Sequence, residues 1–163
     1  MSNDALISPG KDYRYWLTRF TTGGGPPQLL PSSAIFVMLN PSTADARKDD
    51  PTIRRCRKFA GDWGYAGLIV INLYAYRAKD PKDLFKAWNP VGPANNYWLT
   101  SFGTDNDIIC AWGNHAKADR VKWFVKEMAR VNARMFCFGT NKNGSPKHPL
   151  YLKGDTPLEE WRP

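Results

Sequence analysis

Apolar residues gather in four short runs along the chain, at 34–39, 68–73, 108–112 and 135–138. Each has the length of a strand and none alternates cleanly with polar residues, so each is predicted to be a strand buried on both faces. Two stretches between them carry helix signals. Residues 51–61 follow Asp50 and open on Pro51, an N-cap with proline at the first helical position. Residues 117–131 put Val121, Phe124, Val125 and Met128 on one helical face. Ahead of these, the aromatic stretch 12–20 reads as a strand on the sheet edge, and 21–27 is a Gly/Pro-rich break. Strands alternating with helices imply a parallel sheet covered on both faces, where ligands bind beyond the carboxyl ends of the strands. The residues that follow each run are therefore the ones to read for chemistry.

Composition narrows the class. The 163 residues suit one α/β domain spanning 1–163, and 42% hydrophobic content is ordinary for a folded core. No apolar run approaches the roughly 20 residues of a membrane helix. The start, Met1-Ser2-Asn3-Asp4, lacks the features of a secretion signal. Cys56, Cys110 and Cys137 are odd in number and far apart. That spacing speaks against disulfides, structural zinc and iron–sulfur clusters, and a reducing cytoplasm is expected. The formal charge of +8 fits a polyanionic partner. Eight Lys or Arg lie between 114 and 148 against Asp119 and Glu127. Lys117 and Arg120 begin this stretch, which reads either as a solvated helix face or as a phosphate-facing surface.

The first run leads into Asn40-Pro41-Ser42-Thr43-Ala44-Asp45, with Asp49, Asp50, Arg54 and Arg55 soon after. A turn and a helix cap account for part of this, but one cap needs one carboxylate and three are present. Arg54 and Arg55 are candidate anion binders. The second run contains Asn72, a polar residue among apolar ones, followed by Tyr74 and Tyr76. An unpaired buried amide costs roughly 1–3 kcal/mol. Asn72 is therefore either a satisfied structural amide or a reader of a base edge, for which its paired donor and acceptor are suited. The third run ends in Trp112-Gly113-Asn114-His115, and the fourth leads to Lys147-His148-Pro149-Leu150-Tyr151-Leu152. His115 reads as a surface residue. His148, in a long Gly/Pro-rich loop at the same rim, reads as functional.

These residues carry a resemblance. From Tyr13-Arg14-Tyr15-Trp16 to Trp161 the chain resembles the family called domain of unknown function 1643 (DUF1643). The carriers are residues 38–45, Asp50-Pro51-Thr52-Ile53-Arg54-Arg55, Trp112-Gly113 and Lys147-His148-Pro149-Leu150. The motif order also resembles the uracil-DNA glycosylase superfamily, in particular its mismatch-specific branch. There an Asp-Pro or Asn-Pro follows the first strand, an Asn the second, Trp-Gly ends another strand, and a His-Pro or Asn-Pro loop closes the site. The matching positions are Asn40-Pro41, Asn72, Trp112-Gly113 and His148-Pro149.

That resemblance implies a three-layer α/β/α fold with a four-stranded parallel sheet, plus an N-terminal edge strand or hairpin. It implies a monomeric DNA glycosylase acting on double-stranded DNA, with no metal, no cofactor and no membrane partner. Such an enzyme flips its target base out of the stack. In this reading Asn40 holds a water, and Asp45 is a second candidate because an amide is no strong base. His148 stabilises the leaving base, and Ser42, Asn72 and Tyr74 form the base pocket. Arg54, Arg55, Lys117, Arg120 and Lys147 meet phosphates, while Leu150, Tyr151 or Leu152 wedges into the stack. Uracil-specific members that carry Asp-Pro place a Tyr after the proline, which walls off the pyrimidine 5-position. Ser42 stands there, implying room for a bulky 5-substituent, such as the glycosylated hydroxymethylcytosine of phage DNA, and a role in defence. Mismatch or uracil repair, a nucleotide hydrolase and a non-catalytic nucleic-acid or nucleotide-binding module are the alternatives.

Overall fold

The computed structural model describes residues 3–21 and 33–163, so the expected break lies outside the described residues beyond Thr21. The elements run β1 (Asp4–Ile7), β2 (Arg14–Phe20), β3 (Ser33–Met38), α1 (Pro51–Asp62), β4 (Gly67–Asn72), α2 (Pro81–Leu84), α3 (Asn95–Gly103), β5 (Asp107–Cys110), α4 (Ala118–Arg130), β6 (Arg134–Cys137) and β7 (Glu159–Glu160). The strands form one sheet in the order β1-β2-β4-β3-β5-β6-β7.

The fold is mixed α/β, and the sheet corrects the expectation of four parallel strands: among the described residues it has seven, in mixed directions. β3 pairs parallel with β4 and β5, and β5 parallel with β6. β1 with β2, β2 with β4, and β6 with β7 are antiparallel. Of the expected N-terminal edge strand or hairpin, the hairpin is present: β1 folds back on β2 and covers it, so the stretch read as an edge strand lies one strand in from the edge. The short strands β1 and β7 occupy the margins.

Side-chain alternation along β3 separates two cores. Ile35 and Val37 join Ile71, Leu99 of α3, and Phe124 and Met128 of α4. Ala34, Phe36 and Met38 join Val70 and the α1 residues Ile53, Cys56 and Phe59. Helices thus cover both faces, which is why β3 has no polar face to show. β3 passes through α1 to β4 on one side, while β5 passes through α4 to β6 on the other. Connections that leave neighbouring strands in opposite directions open a crevice at their carboxyl ends. Among the described residues no helix is long and apolar enough to cross a membrane.

Candidate functional site

An open cleft of about 1000 Å³ lies at that crevice. Asn40, Ser42 and Thr43 line it after β3, Asn72 at the end of β4, Trp112 to His115 after β5, and Lys147, His148 and residues 150–152 after β6. The sequence-predicted Asn40, Ser42, Asn72, Lys147, His148, Leu150, Tyr151 and Leu152 therefore share one site.

Asn72 is 1% exposed, and neither its Nδ2 nor its Oδ1 has a hydrogen-bond partner among the described residues. Its backbone is held from behind. Asn95 Nδ2 donates to the carbonyls of Asn72 (2.9 Å) and Leu73 (3.1 Å), and Arg120 Nε donates to Leu73 (2.8 Å). The fold fixes this amide in the cleft and leaves both of its polar atoms unused.

Asn40 is more committed. Its Nδ2 donates to the carbonyls of Ala78 (2.8 Å), Pro41 (3.0 Å) and Tyr76 (3.4 Å), tying the loop after β3 to the loop after β4. Its Oδ1 has no hydrogen bond among the described residues. His148 belongs to a loop pinned by Gly113, whose N–H donates to Pro146 at 2.9 Å. Gly113 has φ 74°, a left-handed backbone that explains glycine after Trp112. The His148 Nδ1 accepts the Leu150 N–H at 3.2 Å, so the neutral ring carries its proton on Nε2. Burial holds this imidazole below its usual pKa, with the charge of Asp50 acting the other way.

The three aspartates divide into three jobs. Asp45 Oδ1 accepts the N–H groups of Arg47 (2.8 Å) and Lys48 (2.9 Å), and these bonds, that from Arg47 first, lower its pKa. It closes a turn and does not line the cleft, so the carboxylate expected there is misplaced. Asp49 pairs with buried Arg19 (2.6 Å) and with Arg57 (2.8 Å). Asp50 caps α1 through Ile53 N–H at 2.9 Å, and it is the only carboxylate among the described residues lining the cleft.

Other expected contacts fall elsewhere. Tyr74 is buried among the helices on the Phe124 face, its hydroxyl accepting the Lys117 N–H at 3.2 Å and its ring edge-on to Phe85. It does not line the cleft, because it continues β4 past Asn72 into the apolar core. Arg120 is buried, bonded to Leu73 and stacked on Trp123, and burial brings its pKa down to about 10. It buttresses β4 and does not line the cleft. Lys117 packs its ammonium over Phe85 outside the cleft. Arg54 is exposed and donates to the Asp49 carbonyl at 3.0 Å. Arg55 turns inward, bonding the carbonyls of Pro149 and Leu152, so it positions the wedge loop. Tyr151, at 91% exposure, projects from that loop. Sequence reading missed Arg14, a buried cation lining the cleft from β2, and named Asp50 among three rim carboxylates without a specific catalytic role. An arginine opening a strand rich in aromatic residues was the available signal.

A family model described as a protein of unknown function (DUF1643) matches residues 14–150. No curated protein and no solved structure matches the chain.

Proposed function

The chain belongs to the DUF1643 family, whose description assigns no activity, and from its own cleft we propose that it is a DNA glycosylase that removes a modified pyrimidine from double-stranded DNA. The observation that carries this reading is Asn72: an unpartnered, buried donor–acceptor pair in a cleft at the carboxyl ends of parallel strands. A pyrimidine edge presents the complementary acceptor and donor side by side. The parallel pairings of β4, β3, β5 and β6 support a glycosylase-like core.

Hydrolysis breaks the bond between C1′ and the base nitrogen, and the electron pair leaves with the base. The oxygen of water bonds to C1′, and the proton it sheds balances the charge on the departing base. Asn40 Oδ1 suits holding that water, and Asp50 is the carboxylate that can accept its proton. The Nε2–H of neutral His148 suits stabilising charge on the base. Lys48, Lys79 and Lys147 give the cleft a basic lining for the phosphates. Tyr151 and Leu152 suit filling the stack that the flipped base vacates.

Ser42 lines the cleft, and its small side chain leaves space beside the base. A bulky 5-substituent, such as glycosylated hydroxymethylcytosine, is therefore the favoured substrate. Incubation with duplexes carrying 5-substituted cytosines or uracil, scored as alkali-labile breaks, tests this. Breaks at the bulky bases are expected, and Ser42→Tyr should suppress them selectively. Release of uracil with every 5-substituted base ignored would contradict the open pocket.

A further inference from the structure

The most costly group left unexplained in the cleft is Arg14. It is 2% exposed, and its Nη1 donates to the Ala44 carbonyl at 3.0 Å. Its Nε has no partner, and no carboxylate pairs with it among the described residues. Burial lowers its pKa to about 10, with Asp50 the largest opposing influence, so it stays charged at neutral pH. Burying a cation without an anion is strongly unfavourable, and the group persists where something else uses it.

The position is also built. In the β1–β2 hairpin Leu6 pairs with Trp16 but Ile7 with Arg14, leaving Tyr15 as an extra residue. A one-residue slip of this kind re-aims the side chains beyond it. The Arg14 N–H donates to the Ala75 carbonyl at 2.9 Å, anchoring it beside the loop that follows β4. The side chain then lines the same cleft as Asn72, Met38 and Asp50.

We propose that Arg14 is an anion-binding residue of the cleft, which takes an oxygen bearing negative charge on the bound ligand. A guanidinium with a free N–H is suited to such an oxygen, whether it belongs to a departing pyrimidine or to a nucleotide phosphate. Asn72 supplies the neutral donor and acceptor alongside it. The inference rests on the cleft being the ligand site and not on bond cleavage.

Isothermal titration at fixed ionic strength separates the sources. The probes are 5-nitrouracil, a pyrimidine acidic enough to be an anion at neutral pH, uracil as its neutral control, and inorganic phosphate. If Arg14 meets the pyrimidine, 5-nitrouracil binds the unmodified protein at least roughly tenfold more tightly than uracil. If it meets a phosphate, inorganic phosphate binds instead and the two pyrimidines bind alike. Arg14→Met should erase whichever preference is found, and Arg14→Lys, which keeps the charge, should retain part of it. No preference for either anion in the unmodified protein overturns the proposal. A preference that survives Arg14→Met in a folded protein, or that vanishes in a folded Arg14→Lys, also overturns it. Anion binding by a protein that releases no base would keep this site and remove the glycosylase reading.

Discussion

Asn72 has two polar atoms in a nearly inaccessible position and bonds neither of them among the described residues. Each unmade bond in such a place costs roughly 1–3 kcal/mol. Asn72→Leu, close in volume, is therefore expected to raise stability by about 1 kcal/mol while abolishing base release. Thermal unfolding checks the first half, and a loss of stability would mean that the fold itself uses the amide. His148 gives a pH signature. Burial places its folded pKa below 6.5, so the unfolded chain takes up the proton first as pH falls. Stability tied to the neutral ring is complete above about 6.5 and is lost as pH drops toward the folded value. Protonation also removes Nδ1 as acceptor for Leu150, so base release should decline with it. Unfolding midpoints measured against pH should show a slope just below 6.5 that His148→Gln flattens, and equal slopes would place the titration elsewhere. Asn72 and His148 were legible in the sequence because each is polar where its surroundings are not, or sits in a loop at the rim. Which of Asp45, Asp49 and Asp50 faces the cleft was not legible, because that depends on Arg19 reaching across from β2 to Asp49.

At the level of elements, α1 carries both a cap and the proposed water-activating group in Asp50. The two functions separate by substitution. Asn caps a helix about as well as Asp, so Asp50→Asn should lose only the charge that faces buried Arg14, while Asp50→Ala should cost about 1 kcal/mol more for the lost cap. Both should lose base release. Full activity in Asp50→Asn would reduce Asp50 to its structural role. The buried strands β3 to β6 were legible to within a few residues, because burial on both faces leaves a continuous apolar run. α3 was not: Asn95-Asn96-Tyr97-Trp98 and Thr100-Ser101 are poor helix formers, and tertiary contacts such as buried Leu99 and the Asn95 bonds to β4 favour the helix. β2 read as an edge because nothing local announces the four-residue strand β1 that covers it.

Over the whole molecule, a net charge of +8 says only that polyanions are welcome. The arrangement is more informative: Lys48, Lys79 and Lys147 line the cleft, while Lys122 and Lys126 lie exposed on α4 and do not. Of the basic stretch read from sequence, Lys147 alone among the described residues lines the cleft, Lys122 and Lys126 sit on a solvated helix, and Arg120 is a buttress. Cleft, strand ends and the unpaired amide converge on one place, where in the proposed function a base enters and leaves cut from its sugar. The most direct measurement incubates the protein with a duplex carrying one glucosylated hydroxymethylcytosine and quantifies free base and abasic site together. One free base per abasic site, formed by the unmodified protein and lost in Asn72→Ala, is the expected result. Tight, salt-dependent binding of the same duplex with neither product formed would contradict the claim and leave a binding module.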